Sequence, residues 1–170
     1  MADDITAITA TINLYAVAVD TLHWELFDRV FTPDIAIDFG GPAAFAGLDT
    51  LKAAFAAIHA PFRATQHFTS NHHIAVSGDE ATCLSYVRGV FVRDVPGGAM
   101  FESTGWYDDR LVRTPEGWRI SWRASRMTWW GGNPEVLRTS PEAGVPEETD
   151  SLSAEAAAGR LVHLAALLGG

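Results

Sequence analysis

The chain has a single cysteine, Cys83, and this scarcity of thiols limits its chemistry. One cysteine cannot form a disulfide within the chain. Cys83 lies in an apolar, strand-like run with no activating partner nearby in the sequence, which predicts a buried and inert thiol. Gly-x-Ser-x-Gly elbows, Gly-rich phosphate loops and dinucleotide fingerprints are also lacking. The sequence therefore gives no support to nucleophilic hydrolysis or to nucleotide chemistry.

Basic residues are also scarce, with 12 Lys and Arg against 21 Asp and Glu and a net charge of -9. Phosphate backbones and anionic lipids repel so acidic a chain, so we expect neither a nucleic acid nor a membrane as a partner. The first residues lack the basic region and apolar run of a signal peptide, and no segment is long and apolar enough to cross a bilayer. We therefore expect a cytoplasmic protein.

What the chain does have is enough apolar residues for a core. Its 170 residues are 48% hydrophobic and 19% charged, which is typical of one globular domain. Apolar side chains recur at steps of three and four in the first segment, at Ile5, Ile8, Ile12, Tyr15 and Val19, and predict a helix. Asp20 and Thr21 are then candidate N-caps of a second short helix through Phe27.

The rest of the chain predicts strands. Residues 35–39 form a short strand pattern after Pro33-Asp34, and a third helix capped by Asp49 ends at Pro61. Four strand segments follow with turn residues between them: 64–76, 80–93, 100–113 and 118–129. Helices followed by a long antiparallel meander are typical of an α+β fold.

Two regions of the chain differ in composition. Residues 1–130 carry the helix and strand patterns and form one domain. Residues 131–150 are rich in Gly, Pro, Glu, Ser and Thr and are predicted to be a loop, and 151–168 has the leucine spacing of a helix. We expect this extension, 131–170, to pack on the domain, at the mouth of a pocket or in a subunit contact.

Candidate functional side chains are concentrated in the first helix and the first long strand. Alternation in a strand places Thr65, His67, Thr69 and Asn71 on one face, where four polar groups need either solvent or a polar-lined cavity. A lone strand histidine is more often structural. An aspartate partner would change that interpretation, because a carboxylate fixes the imidazole tautomer and stabilises the imidazolium.

Each of the other candidates has a structural explanation beside the functional one. Asp20 could be a helix cap, and Tyr15 a core aromatic whose hydroxyl has a partner. His72 and His73 follow His67, but adjacent strand residues face opposite sides, so we predict no metal site. Among the six tryptophans we assign Trp118 to the core, whereas Trp122, Trp129 and Trp130 could line a pocket or a subunit contact.

Several segments resemble the SnoaL-like, nuclear transport factor 2-like superfamily. The N-terminal part of the superfamily's sequences is similar to Tyr15-Ala-Val-Ala-Val-Asp20, Trp24, Phe31-Thr-Pro-Asp34 and Ile37-Asp38-Phe39 of this chain. The superfamily's closing hairpin is similar to Gly105-Trp-Tyr-Asp108 and Glu116-Gly117-Trp118-Arg119-Ile120. The resemblance covers roughly residues 5–130. It implies a cone-shaped barrel, made of a strongly curved, mostly antiparallel sheet wrapped around N-terminal helices, with a ligand inside.

Within that superfamily the chain resembles the branch of scytalone dehydratase, bile acid dehydratase and lindane dehydrochlorinase. Asp20 matches their catalytic aspartate, and Thr65-Gln66-His67-Phe68 is similar to the strand of the catalytic histidine. Tyr15 matches a tyrosine that faces the substrate oxygen. The resemblance implies no cofactor or metal, and a homo-oligomer that is a trimer or else a dimer.

The sequence departs from scytalone dehydratase at several positions. Val19 and Phe39 stand where that enzyme has tyrosines, Phe91 lies near the place of its second histidine, and Tyr107 near that of its pocket asparagine. Arg126 is similar to an arginine near the end of the last strand in bile acid dehydratase. These differences argue against the substrate of the fungal scytalone dehydratase as the substrate of this chain, but they leave the Asp20–His67 pair intact.

The sequence therefore predicts a cofactor-independent lyase of the dehydratase type, acting on a small apolar molecule that is aromatic or polycyclic. His67 would be the general base, Asp20 its partner and Tyr15 a donor to a substrate oxygen. Asn71, Phe39, Tyr107, Trp122 and Arg126 are the predicted substrate contacts. Two alternatives stay open: a polyketide-cyclase or ketosteroid-isomerase type of enzyme with Asp38 as the base, and a binding protein without catalysis.

Overall fold

The computed structural model describes residues 2–40, 44–139 and 147–169. The chain begins with helix α1 (Ala2–Thr21), a 3₁₀ helix (Trp24–Arg29), strands β1 (Phe31–Asp38) and β2 (Ala44–Ala46), and helix α2 (Leu48–His59). Four long strands follow: β3 (Ala64–Ser77), β4 (Glu80–Val92), β5 (Met100–Thr114) and β6 (Gly117–Gly132). A 3₁₀ helix (Pro134–Val136) and helices α3 (Leu152–Ala157) and α4 (Val162–Leu168) complete the described chain.

The strands form one six-stranded sheet in the order β2-β1-β6-β5-β4-β3. All neighbours are antiparallel except β1 and β6, which are parallel. The predicted α+β fold is confirmed, and the sheet is open, with β2 and β3 at its edges. Register shifts interrupt the ladders at one point in β3 and two in β6, and such bulges bend strands and increase their twist.

The inner face of the sheet packs against α1. Ile8, Ile12, Tyr15 and Val19 are buried there, as the helical spacing predicts, together with Tyr107 and Leu111 of β5. Ile5, the first residue of the predicted face, is exposed instead. Alternate residues of β5 and β6 point to the outer face, where Trp106 and Ala124 pack against Leu161. Two apolar clusters therefore lie on opposite sides of one sheet.

Some predicted boundaries differ from the structure. Asp20 lies in the last turn of α1 and not at an N-cap, because α1 continues to Thr21 and the following turn is a 3₁₀ helix. β1 begins at Phe31, before Pro33. Its pairing with β6 is interrupted between Phe31 and Ala36, so the missing N–H of Pro33 breaks no ladder hydrogen bond.

The extension packs on the domain. The predicted helix over 151–168 is two short helices, which part at Gly159 with φ 69°. Leu152, Ala156, Leu161 and Leu164 cover the outer apolar cluster, whereas Leu137 lines a cavity on the inner side. Within the predicted loop, residues 140–146 lie outside the described chain, as do Gly41 and Pro42 of the turn expected after β1.

Candidate active site

A cavity of about 400 Å³ lies on the inner side of the sheet, next to α1 and α2. This volume is within the range of small-molecule sites. Its aromatic lining consists of Tyr15, Phe39, Phe45, Phe55, Phe62, Phe91 and Tyr107. His59 and His67 also line it, so the cavity combines an apolar wall with a few polar groups. A larger groove of about 810 Å³ beside α4 contains neither histidine.

The predicted contact between Asp20 and His67 is present. One carboxylate oxygen of Asp20 lies 2.7 Å from Nδ1 of His67 and accepts a hydrogen bond from the Thr65 hydroxyl at 3.0 Å. The other oxygen accepts from the backbone N–H of His67 at 2.7 Å. The end of α1 is thereby tied to the start of β3, and the His67 side chain is only 7% exposed.

These contacts determine which imidazole nitrogen is available. Burial raises the pKa of Asp20, but the hydrogen bonds from the His67 ring, the His67 backbone and Thr65 outweigh it, and the pKa lies below its usual value. An ionised carboxylate only accepts, so Nδ1 of His67 donates. Nε2 is then the basic nitrogen, and it faces the cavity near Gly89, where an added Cβ would lie 3.4 Å away.

Tyr15 and Tyr107 line the cavity near His67. Their ring centroids are 5.8 Å apart, and the Tyr15 ring lies 6.4 Å from the His67 ring. Burial raises the pKa of Tyr15, against the opposing effects of Arg123 and the Tyr107 hydroxyl. Burial and Tyr15 raise the pKa of Tyr107 still further. Both phenols are therefore protonated at neutral pH.

A fully buried ion pair, which no local pattern of the sequence indicates, supports the two tyrosines. Arg123 donates to both carboxylate oxygens of Asp109 at 2.7 and 2.8 Å. Its guanidinium carbon lies 4.0 Å from the Tyr107 ring centre and 4.6 Å from that of Tyr15. Burial raises the pKa of Asp109 even though Arg123 favours its charged form. A cation beneath the phenol rings favours negative charge at their hydroxyls.

Two of the predicted substrate contacts lie outside the cavity. Asn71 is exposed in the bulge between Ser70 and His73, with φ 52°, so the expected alternation stops and His72 takes the inner position. His72 contacts Ser85 and Asn13 instead. Trp122 packs in the outer cluster, below the guanidinium of Arg110. The prediction that these two residues contact a ligand in this cavity is wrong.

Phe39 and Tyr107 do line the cavity, and Arg126 borders it. The guanidinium of Arg126, however, donates to the carboxylate of Asp38 at 2.7 Å and to the Asp38 carbonyl at 2.8 Å. Burial raises the pKa of Asp38, but Arg126 and the N–H of Gly40 lower it below its usual value. Asp38 is thus a paired, weakly basic carboxylate beside the outer cluster, where Arg126 lies 5.9 Å from the Trp106 ring.

Other groups have structural roles. Burial raises the pKa of the Cys83 thiol to about 12, so it is inert at neutral pH, as predicted. Among the described residues, no group of three His, Cys, Asp or Glu side chains is placed to hold a metal ion. No helix in the described ranges is both long and apolar enough to span a membrane.

The comparisons with known proteins agree with this fold. A model of the SnoaL-like domain matches residues 1–124. The chain belongs to the SnoaL-like domain family, which confirms the resemblance of the sequence. The protein Rv2910c of Mycobacterium tuberculosis, which has no described function, is 35% identical over 112 residues, covering 62% of this chain and 73% of that protein.

Solved structures share the fold as well. The protein Kfla4162 of Kribbella flavida is 28% identical, with a TM-score of 0.76 over 80% of this chain and 97% of that one. A proposed scytalone dehydratase from Novosphingobium aromaticivorans is 26% identical, with a TM-score of 0.69 over 77% of this chain and 91% of that one. The branch inferred from Asp20 and His67 is therefore represented among the structural neighbours.

Proposed function

We propose that this protein is a cofactor-independent lyase that eliminates a small leaving group from an apolar, aromatic or polycyclic molecule. The 2.7 Å contact between Asp20 and Nδ1 of His67 carries the proposal, because it leaves Nε2 as a base directed into an apolar cavity. The structural likeness to a proposed scytalone dehydratase supports the same class of reaction. A shared fold alone would not, since one fold hosts many functions.

In the proposed reaction, Nε2 of His67 removes a proton from a carbon atom next to a carbonyl group. The electron pair of that C–H bond forms a carbon–carbon double bond, and the leaving group on the next carbon departs with its bonding pair. The imidazolium that forms is stabilised by the ionised Asp20. A departing hydroxide takes up the proton from the imidazolium and leaves as water. A halide leaves as the anion, and the imidazolium then gives its proton to water, which restores the base.

Tyr15 supplies the hydrogen bond that stabilises the negative charge on the carbonyl oxygen. Its raised pKa keeps the hydroxyl protonated, and the buried guanidinium of Arg123, 4.6 Å from the ring centre, favours that charge. A positioned proton-transfer group contributes roughly 10²- to 10⁴-fold in rate. The hydrogen bond from Tyr15 accelerates the reaction further, because it stabilises negative charge that develops on the carbonyl oxygen only during the reaction.

The test uses bicyclic aromatic ketones with a hydroxyl or halide β to the carbonyl, and follows the absorbance of the conjugated product. We expect turnover to fall at least about 100-fold in His67→Ala and in Asp20→Asn. Circular dichroism checks that both variants fold. Asp38→Asn is the matched control, since Asp38 is also a carboxylate but lies outside the cavity lining.

Full activity in both His67→Ala and Asp20→Asn would contradict the proposal. Activity that survives His67→Ala but is lost in Asp38→Asn would favour the cyclase or isomerase type. Ligand binding that is equal in all variants, without turnover of any ketone, would favour a binding protein.

A further inference from the structure

A second histidine, His59, lines the same cavity, and the proposed elimination does not use it. It is the last residue of α2 and is only 6% exposed. Its ring stacks on Phe55 at 5.3 Å between centroids and lies 5.4 Å from the Trp24 ring. A series of ring contacts through Phe62 and Phe91 connects it with His67, with successive centroid distances of 5.8, 5.3 and 5.4 Å.

The hydrogen bonding of His59 fixes its tautomer. Nδ1 lies 2.8 Å from the carbonyl oxygen of Phe55. A carbonyl oxygen only accepts, so Nδ1 carries the proton and Nε2 bears a lone pair. Burial, together with the nearby His67, lowers the pKa of His59, so the ring is neutral at neutral pH.

Nε2 of His59 is therefore a hydrogen-bond acceptor in an aromatic surrounding. In the part of the chain that the structure describes, the ring makes its one hydrogen bond through Nδ1. Nε2 is not among the fully buried, unpartnered side-chain atoms of the described chain, and His59 lines the cavity, so a ligand can reach it. A ligand that brings a donor then gains a hydrogen bond there that a ligand without one lacks. A ligand carboxylate or ether oxygen would face a lone pair and gain nothing.

We propose that His59 selects the substrate by accepting a hydrogen bond from a hydroxyl group on its aromatic ring. The inference rests on the proposed function and names the substrate class as hydroxylated aromatic compounds. The hydroxyl binds at the α2 end of the cavity, while the reacting carbon lies at His67. His59 is thus a specificity-determining residue and not a second base.

A purely structural role is the alternative, since His59 also fills an aromatic cluster and bonds to the carbonyl of the preceding helical turn. The variant His59→Phe separates the two roles. It keeps a ring among Trp24, Phe55 and Phe62 but removes both the acceptor and the Nδ1–H that bonds to the Phe55 carbonyl, and a probe without a hydroxyl group reports any structural loss. His59→Gln restores an acceptor on a flexible chain of similar reach.

The test measures the binding of two matched probes, 5-indanol and 5-methylindane, by isothermal titration calorimetry. We expect the wild type to bind 5-indanol about 3- to 10-fold more tightly, the effect of one neutral hydrogen bond. His59→Phe should abolish this preference with the affinity for 5-methylindane unchanged, and His59→Gln should restore part of it. An unchanged preference in His59→Phe would overturn the proposal, as would no preference in the wild type.

The same titrations with His67→Ala keep this inference distinct from the proposed function. The preference for 5-indanol should persist in His67→Ala, because the hydroxyl binds at His59. Its loss there, with retention in His59→Phe, would place the hydroxyl at His67 and overturn the inference. Failure of the proposed function would appear instead as full turnover in His67→Ala, whatever the probes show.

Discussion

Gly89 of β4 pairs directly with His67 of β3, and its missing side chain leaves open the space beside Nε2. A Cβ at this position would lie 3.4 Å from Nε2 and 3.0 Å from the Phe91 ring. The second distance is too short for an ordinary contact, so Phe91 would have to move. The glycine therefore keeps both the base and the aromatic wall in place.

Gly89→Ala should reduce turnover on the order of 10- to 100-fold, because small displacements of a reacting group are costly in rate. The fold should persist, since the backbone at Gly89 is ordinary strand. Gly131→Ala is the matched control, because its nearest contact, with Trp129, would be 4.0 Å. Steady-state kinetics and thermal melts of both variants test this, and unchanged kinetics in Gly89→Ala would contradict it.

Arg123→Met should destabilise the protein by about 3–5 kcal/mol, since it leaves the carboxylate of Asp109 buried without its partner. Urea unfolding at pH 7 measures the loss. The loss should shrink as pH falls through the raised pKa of Asp109, because protonation removes the buried charge. The double variant with Asp109→Leu should recover much of the stability, and a double variant as unstable as Arg123→Met would refute this explanation.

His163 should make the packing of α4 sensitive to acid. It is buried, and its ring lies 2.8 Å from Nδ1 of His73 and 2.8 Å from the Thr82 hydroxyl. Burial and the charge of His73 lower the pKa of His163, so the folded state binds fewer protons than the unfolded state. Stability is then present above the ordinary histidine pKa of 6.5 and is lost as pH falls below it.

Asp108 has the opposite effect on the pH dependence of stability, because burial raises its pKa to about 6. Its carboxylate accepts hydrogen bonds from the backbone N–H groups of Val162 and His163. The variant His163→Asn isolates the histidine. Between pH 7.5 and 5.5 the wild type should lose more stability in urea than His163→Asn, with faster amide exchange in α4. Equal pH dependence of the two proteins would show that His163 is not responsible.

Asn71→Gly should leave turnover and probe affinity unchanged, because Asn71 is exposed in the β3 bulge and away from the cavity. Its positive φ of 52° suits glycine. Asn71→Ala should cost about 1 kcal/mol in stability, since asparagine tolerates the left-handed region through local hydrogen bonding of its side chain and alanine does not. Kinetics and urea unfolding of both variants check this. A large loss of turnover in Asn71→Gly would return Asn71 to the site.

The sequence predicts the helices, the strands and the central pair for clear physical reasons. Apolar spacing defines the buried face of α1, and turn residues separate the long strands. The Asp20–His67 contact required the family resemblance as well, since the two residues are 47 positions apart. The oligomeric state, the cytoplasmic location and the exclusion of nucleic acid and membrane partners stay predictions.

Other features depend on tertiary geometry that a local pattern does not contain. Strand alternation predicts that Asn71 lies on the same face as His67. A bulge after Ser70 changes which of the following residues point to the inner face. Arg123 stands in β6 as one of several arginines, and only the fold shows that it lies beneath Tyr15 and Tyr107. His59 follows Phe55 by one helical turn on the buried face of α2, and that spacing is the one signal that could have indicated it.

The proposed mechanism depends on Asp20, which holds the proton of His67 on Nδ1 and leaves Nε2 as a base inside the cavity. Long-range ¹H–¹⁵N correlation spectra of the imidazole test it directly, with the His67 signals assigned by comparison with His67→Ala. At a pH where the ring is neutral, we expect a protonated Nδ1 and a bare Nε2 in the wild type, and a loss of that strict preference in Asp20→Asn. A wild-type spectrum with the proton on Nε2 would contradict it.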